Sequence, residues 1–130
     1  MPWTYDISDT GAGPGWRGTL YRPDGSFLAK GYSGNAGGLN DVSDALIKNV
    51  GPIPPGTYII GDAFNHPLCG PVSMRLTPTA DTDVGDRDGF LIHGDGSAGN
   101  FSASHGCIIA LRVPRLEMAG SRDKRLIVKA

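Results

Sequence analysis

The stretch from Gly89 to Ile109, GFLIHGDGSAGNFSASHGCII, holds the residue types from which a nucleophile and its base can be built. Cys107 offers a thiol, which attacks well only as thiolate and has an unperturbed pKa near ~8.5. Activation needs a base within hydrogen-bond reach, itself held by a third group. His93 ends the apolar run Gly89 to His93, which reads as a strand, so its imidazole is rigidly placed. Cys107 opens a second apolar run that continues to Leu111. If the two strands pair, a fourteen-residue step in sequence brings His93 and Cys107 together across the sheet. Gly106 lets the backbone turn sharply and come close to a substrate. The amides of Gly106 and Cys107 then face a developing oxyanion. His105, two residues before the sulfur, either donates towards that oxyanion region or polarises the thiol. An activated Cys107 is expected to alkylate faster than free cysteine in mildly acidic buffer, and His93→Ala to abolish the excess.

Other readings of the same residues are weaker. A buried inert thiol needs no flanking His-Gly pair. His66, Cys69, His93, His105 and Cys107 contain enough donors for zinc, but H-x2-C and H-x-C are not finger spacings. No metal and no cofactor is therefore expected. Cys69 and His66 read as a loop thiol and a surface imidazole. Asp95, between glycines, reads first as a turn residue and second as a partner that orients a histidine. Tyr32, Ser33 and Asn40 are candidates to line a substrate groove.

The elements that must position these groups are short. Trp3 to Ile7 alternates as a strand, with Trp3 and Tyr5 in the core. Thr19 to Arg22 and Ser26 to Lys30 form a hairpin around Pro23-Asp24-Gly25. Gly31 to Asn40 (GYSGNAGGLN) reads as a long surface loop, and Ser43 to Val50 as a short helix capped by Ser43 or Asp41 and stopped by Gly51. The elbow Gly51-Pro52-Ile53-Pro54-Pro55-Gly56 feeds the strand Thr57 to Gly61. Pro67 to Pro71 is a loop, Val72 to Leu76 a strand, and Thr79 to Asp88 an acidic connection. Pro114 to Ala119 reads as a helix and Arg125 to Val128 as a closing strand. The fold class is β-dominated with small α content: one domain spanning 1–130, a small sandwich or barrel-like mixed sheet with one or two short helices.

Composition agrees. Glycine (20) and proline (10) are enriched, as in chains of many strands and turns, and apolar residues (39%) recur in organised runs that argue against disorder. A net charge of -1 without a basic stripe argues against nucleic acid. No run approaches the ~18 apolar residues of a membrane span. Met1 to Asp6 shows neither a basic nor an apolar signal region, so no secretory signal is visible.

Ser104-His105-Gly106-Cys107, behind a strand-end His93-Gly94, resembles the catalytic motif of the YkuD-type L,D-transpeptidases. Together with Ile92-His93-Gly94-Asp95, the Gly31 to Gly34 segment (GYSG) and the Gly51 to Tyr58 segment (GPIPPGTY), the chain looks like the small transpeptidase-like domain of type VI secretion effectors, the Tlde1 or DUF2778-like group. The resemblance implies that Cys107 is the nucleophile, His93 its general base and the Gly94 carbonyl the group that orients the imidazole. Ser104 and His105 shape the site, and the Gly106 and Cys107 amides form the oxyanion hole. The family attacks the diamino-acid carbonyl of a peptidoglycan tetrapeptide stem, releases the terminal D-alanine and forms a thioester. Water then gives carboxypeptidase activity, a D-amino acid exchange, and another stem's amine a cross-link. Two departures point away from cross-linking. The spacer from His93 to Ser104 is ten residues, and Ile109 stands where the wall-building enzymes usually carry asparagine or arginine. The expected role is an antibacterial effector acting in a rival's periplasm, with a stem peptide as substrate and a cognate immunity protein as partner. A wall-binding module without turnover and a phage lysis enzyme are the alternatives.

Overall fold

A computed structural model describes residues 2–7, 15–34, 38–47, 50–95 and 106–130. Among the described residues the strands are β1 (Trp3–Asp6), β2 (Gly18–Tyr21), β3 (Phe27–Ser33), β4 (Gly56–Ile60), β5 (Phe64–His66), β6 (Gly70–Pro78), β7 (Leu91–His93), β8 (Ile108–Ile109) and β9 (Arg125–Lys129). One helix, α1 (Arg112–Ala119), precedes β9.

The strands run in the order β4-β9-β1-β2-β3-β8-β7-β6, and β6 pairs back onto β4, so the sheet closes into an eight-stranded barrel. Closure removes the unpaired edges that short strands would otherwise expose. β5 hangs outside the ring as a hairpin partner of β6. Two pairings are parallel, β1 with β9 and β7 with β8, and the other pairings are antiparallel.

Alternation along each strand fills the interior. Tyr5, Leu20, Tyr58, Met74, Leu76, Phe90, Ile92, Ile108, Leu126 and Val128 form one buried cluster, which includes Trp3 as expected. The outer face of β3 and β8 carries a second cluster, Tyr32, Leu39 and Ile109, with Trp16 set edge-on to Tyr32 at 5.2 Å.

Three expectations change. Gly31 to Asn40 is not a surface loop at its start: β3 runs through Ser33, and Tyr32, Ser33, Leu39 and Asn40 are buried. The reason is pairing, since Tyr32 lies opposite Ile109 and Ser33 opposite Ile108. Gly31 is required there, because a Cβ would sit 2.7 Å from the Ile109 carbonyl oxygen. The helix over Ser43 to Val50 shrinks to one 3₁₀ turn, Val42–Asp44, capped by the Asp41 side chain accepting from Ser43 N–H. Just beyond it the Ala45 carbonyl accepts from the Arg87 guanidinium, and residues 48 and 49 lie outside the described residues. Finally, Pro67 to Cys69 is a tight turn between β5 and a β6 longer than Val72 to Leu76.

Candidate functional site

β7 and β8 pair in parallel, with Ile92 opposite Ile108 and His93 opposite Ile109. One step back in this register sets Cys107 beside Leu91. Opposite residues share a face and alternate residues share a face. Cys107 and His93 therefore fall on the same outer face as diagonal neighbours. Ile92 and Ile108 between them point into the core. Parallel neighbours cannot be joined by a tight turn and need a crossover of roughly a dozen residues. That requirement explains why histidine and cysteine lie so far apart in sequence.

His93 is 4% exposed, and its Nδ1 donates to the Gly94 carbonyl at 2.8 Å. A carbonyl oxygen only accepts, so Nδ1 carries the hydrogen and Nε2 keeps the lone pair in the neutral ring. Burial pushes the His93 pKa below its ordinary value; the Gly94 bond partly offsets this, and the charge of Arg115 lowers it further. The imidazole is thus neutral at pH 7, the state a base requires.

Cys107 is half-buried, with Sγ 4.0 Å from the Gly89 carbonyl oxygen. Burial pushes its thiol up to about 11, against the opposing pull of the Leu91 backbone and of Arg87. A raised thiol pKa runs against the expectation of a thiolate that alkylates readily in mildly acidic buffer.

Ser33 and Asn40 are buried. Ser33 Oγ donates to the Cys107 carbonyl at 2.7 Å and accepts from Ile53 N–H at 2.8 Å, which ties the Cys107 backbone to the proline elbow. Asn40 holds a left-handed backbone (φ 55) while its side chain accepts from Ser33 N–H and donates to the Gly15 carbonyl. Tyr32 is also fully buried, and its hydroxyl donates to the Asp95 carboxylate. Asp95 is exposed, and its charge raises the His93 pKa slightly against the larger effect of burial. Ser104 and His105 lie outside the described residues.

Two buried arginines were not anticipated. Arg87 donates to the carbonyls of Ala45, Pro52 (2.8 Å) and Gly51 (3.1 Å), and its guanidinium lies 5.5 Å from the Phe90 ring centroid. A Cβ on Gly106 would overlap its Nη2. Arg115 donates to the carbonyls of Ala110 (2.9 Å), Leu111 (3.2 Å), Pro71 and Val72 (both 3.0 Å). A Cβ on Gly94 would sit 2.8 Å from its Nη2. In sequence Arg87 lies between two aspartates and Arg115 in a polar helix turn, so both look like solvated surface charges. His66 Nδ1 accepts from the N–H groups of Leu68 and Cys69, which makes it a turn-holding group. Among the described residues, no group of three His, Cys, Asp or Glu converges as a metal site would need.

The family model of the Tlde1 domain matches residues 28–129, which takes in β4 to β9, all of β3 but its first residue, and both His93 and Cys107. No curated protein and no solved structure gives a match.

Proposed function

The chain belongs to the Tlde1 domain family, a type VI effector-associated domain, and we propose that it is a cysteine L,D-transpeptidase or L,D-carboxypeptidase acting on peptidoglycan tetrapeptide stems. The observation that supports the reading is that His93 ends β7 and Cys107 immediately precedes β8, its parallel neighbour, on one outer face, with His93 Nδ1 held by the Gly94 carbonyl.

The chemistry follows from that pair. Sγ adds to the carbonyl carbon preceding the terminal D-alanine while its proton passes to His93 Nε2. The imidazolium then gives the proton to the departing amine, the C–N bond breaks, and D-alanine leaves a thioester on Cys107. Water attacks next with His93 as base, and the thiol and a shortened stem are released. A D-amino acid or a second stem amine in place of water gives exchange or cross-linking. Ser33 fixes the Cys107 carbonyl, and so helps to fix the orientation of the peptide units that carry the Gly106 and Cys107 amides towards the oxyanion. The setting we propose is antibacterial: delivery as a type VI effector into a target cell's periplasm, with an immunity protein guarding the producer.

Sacculi treated with wild type and with Cys107→Ala test this by muropeptide mass analysis. Wild type should convert tetrapeptides to tripeptides with loss of one alanine, and Cys107→Ala should leave them intact. Unchanged tetrapeptides with the wild type would sink the proposal.

A further inference from the structure

Beside the thiol lies a cleft of about 230 Å³ whose lining includes Arg75, Arg87, Asp88, Gly89 and Phe90. Gly89 links it to the nucleophile, since its carbonyl is the group 4.0 Å from Cys107 Sγ. The sheet supplies a second link. Arg75 of β6 lies opposite Leu91, and Leu91 is the residue beside Cys107 in the β7–β8 register. Arg75 and Cys107 thus share the outer face two strands apart, roughly 10 Å at ~4.8 Å per strand.

The two cleft arginines differ in what they have left to offer. Arg87 gives its N–H groups to three backbone carbonyls. Arg75 is exposed, with its guanidinium 5.2 Å from the Phe64 ring centroid. Among the described residues it makes no ion pair, whereas Arg22 and Arg125 pair with Glu117 and Asp123. Contact with the Phe64 ring of β5 parks the guanidinium on the far side of β6 from β7, and a ligand carboxylate would compete with that ring for the fork of N–H donors. Such a fork fits a carboxylate with two parallel hydrogen bonds.

We infer that Arg75 binds the free carboxylate of the residue that leaves, and so selects stems that end one residue beyond the scissile amide. The inference rests on the acyl transfer proposed above. Standard bond lengths put that carboxylate carbon ~4 Å past the carbonyl under attack. Sulfur approaches the carbonyl at ~3–3.5 Å. To bridge the remainder, the Arg75 side chain, which starts roughly 10 Å from Cys107, has to swing off the Phe64 ring of β5 and across the outer face towards β7. A stem extended by another residue, or capped as an amide, presents a neutral group to Arg75 and loses the charge-assisted pair. Asp88 adds one negative charge to the same cleft and tempers the attraction.

The test compares two synthetic tetrapeptide stems, one ending in a free acid and one in a carboxamide. Wild type should favour the acid by about 30- to 100-fold in kcat/KM, the range of a charge-assisted hydrogen-bonded pair. Arg75→Gln should collapse that ratio to within about threefold, Arg75→Lys should keep part of it, and Asp88→Asn should raise acid turnover modestly. Circular dichroism checks that each variant is folded. Equal turnover of both stems by wild type overturns the role of Arg75 and leaves the acyl transfer standing, and so does an acid preference that survives in Arg75→Gln. Turnover of neither stem by wild type overturns the acyl transfer, and the role of Arg75 with it.

Discussion

On the thiol side of the site, Arg87 ties together irregular chain: the Ala45 turn and the Gly51-Pro52 start of the elbow, with Gly106 pressed against its tip. On the imidazole side, Arg115 rises from a regular helix and ties the end of β8 to the start of β6, with Gly94 against its tip. Both arginines are buried, and both donate to backbone carbonyls. Their charges act in opposite senses on the proton transfer. Arg87 favours loss of the proton from Cys107, whereas Arg115 disfavours its gain by His93. Bracing and tuning are therefore separable, and substitution can take them apart.

The largest difference between the sides should appear at their glycines. Gly106 has φ 120, where L side chains are strained, and a Cβ there overlaps the buried Arg87. Gly106→Ala should cost at least about 100-fold in kcat/KM, because displaced reacting groups lose near-attack geometry. Gly94 meets Arg115 only at 2.8 Å, and its φ is not positive. Gly94→Ala should cost about tenfold. Equal losses on stem substrate would mean that the two sides are braced equally rigidly.

The arginines come next. Arg87→Met strands the carbonyls of Ala45, Gly51 and Pro52, and should lower stability by about 3 kcal/mol in urea melts. Arg87→Lys should not rescue it, because one ammonium cannot reproduce the fork. Arg115→Met should destabilise by about 2–3 kcal/mol for the same reason. It should also move the acid limb of kcat/KM upward, a readout that simple loss of packing would not give.

The pH dependence separates the two groups further. His93 must be neutral to act, and its pKa is lowered chiefly by burial, so wild-type kcat/KM should hold as pH falls to ~6.5 and drop only below it. With Arg115 gone, protonation is less opposed and the drop begins at higher pH. The Cys107 thiol, pushed up to about 11, should react with iodoacetamide more slowly than free cysteine at pH 7, with the rate still rising beyond pH 10. Losing Arg87 removes a stabilising charge and should slow alkylation further. Rapid labelling at pH 6 would show a resting thiolate and reverse this part of the comparison.

What could be read from the residues was the mainly β fold and the strands that carry His93 and lead from Cys107. His93 and Cys107 sit in apolar runs bounded by glycine, so strand periodicity reached them, and the barrel-like mixed sheet followed from many short strands. The GYSG and GPIPPGTY boxes were visible as motifs, but their work was not. Ser33 joins them through Ile53 N–H and the Cys107 carbonyl, and such long-range hydrogen bonds leave no local pattern. Gly-Tyr-Ser-Gly has loop composition, and only its pairing with β8 makes it strand. Arg87 and Arg115 were illegible because a buried arginine that donates to carbonyls has no carboxylate partner at a telling spacing.

The smallest effect concerns strain on the imidazole side. Val72, early in β6, has φ 57, a left-handed conformation that a β-branched residue rarely adopts. Its carbonyl is one of the groups held by Arg115, so the arginine that supports Gly94 also helps to hold this strained turn. Val72→Gly removes the steric penalty and gives up a half-buried side chain and some chain stiffness, which oppose the gain. The balance should be a stabilisation of about 1 kcal/mol, a rise of roughly 3–5 °C in Tm. If the strain only accompanies the Arg115 tie, kcat should stay within about twofold of wild type. A stabilised Val72→Gly with a clearly lower kcat would mean that the strained turn itself presses Arg115 against Gly94 and holds the His93 ring. The imidazole side would then be tensioned, where the thiol side is merely tied.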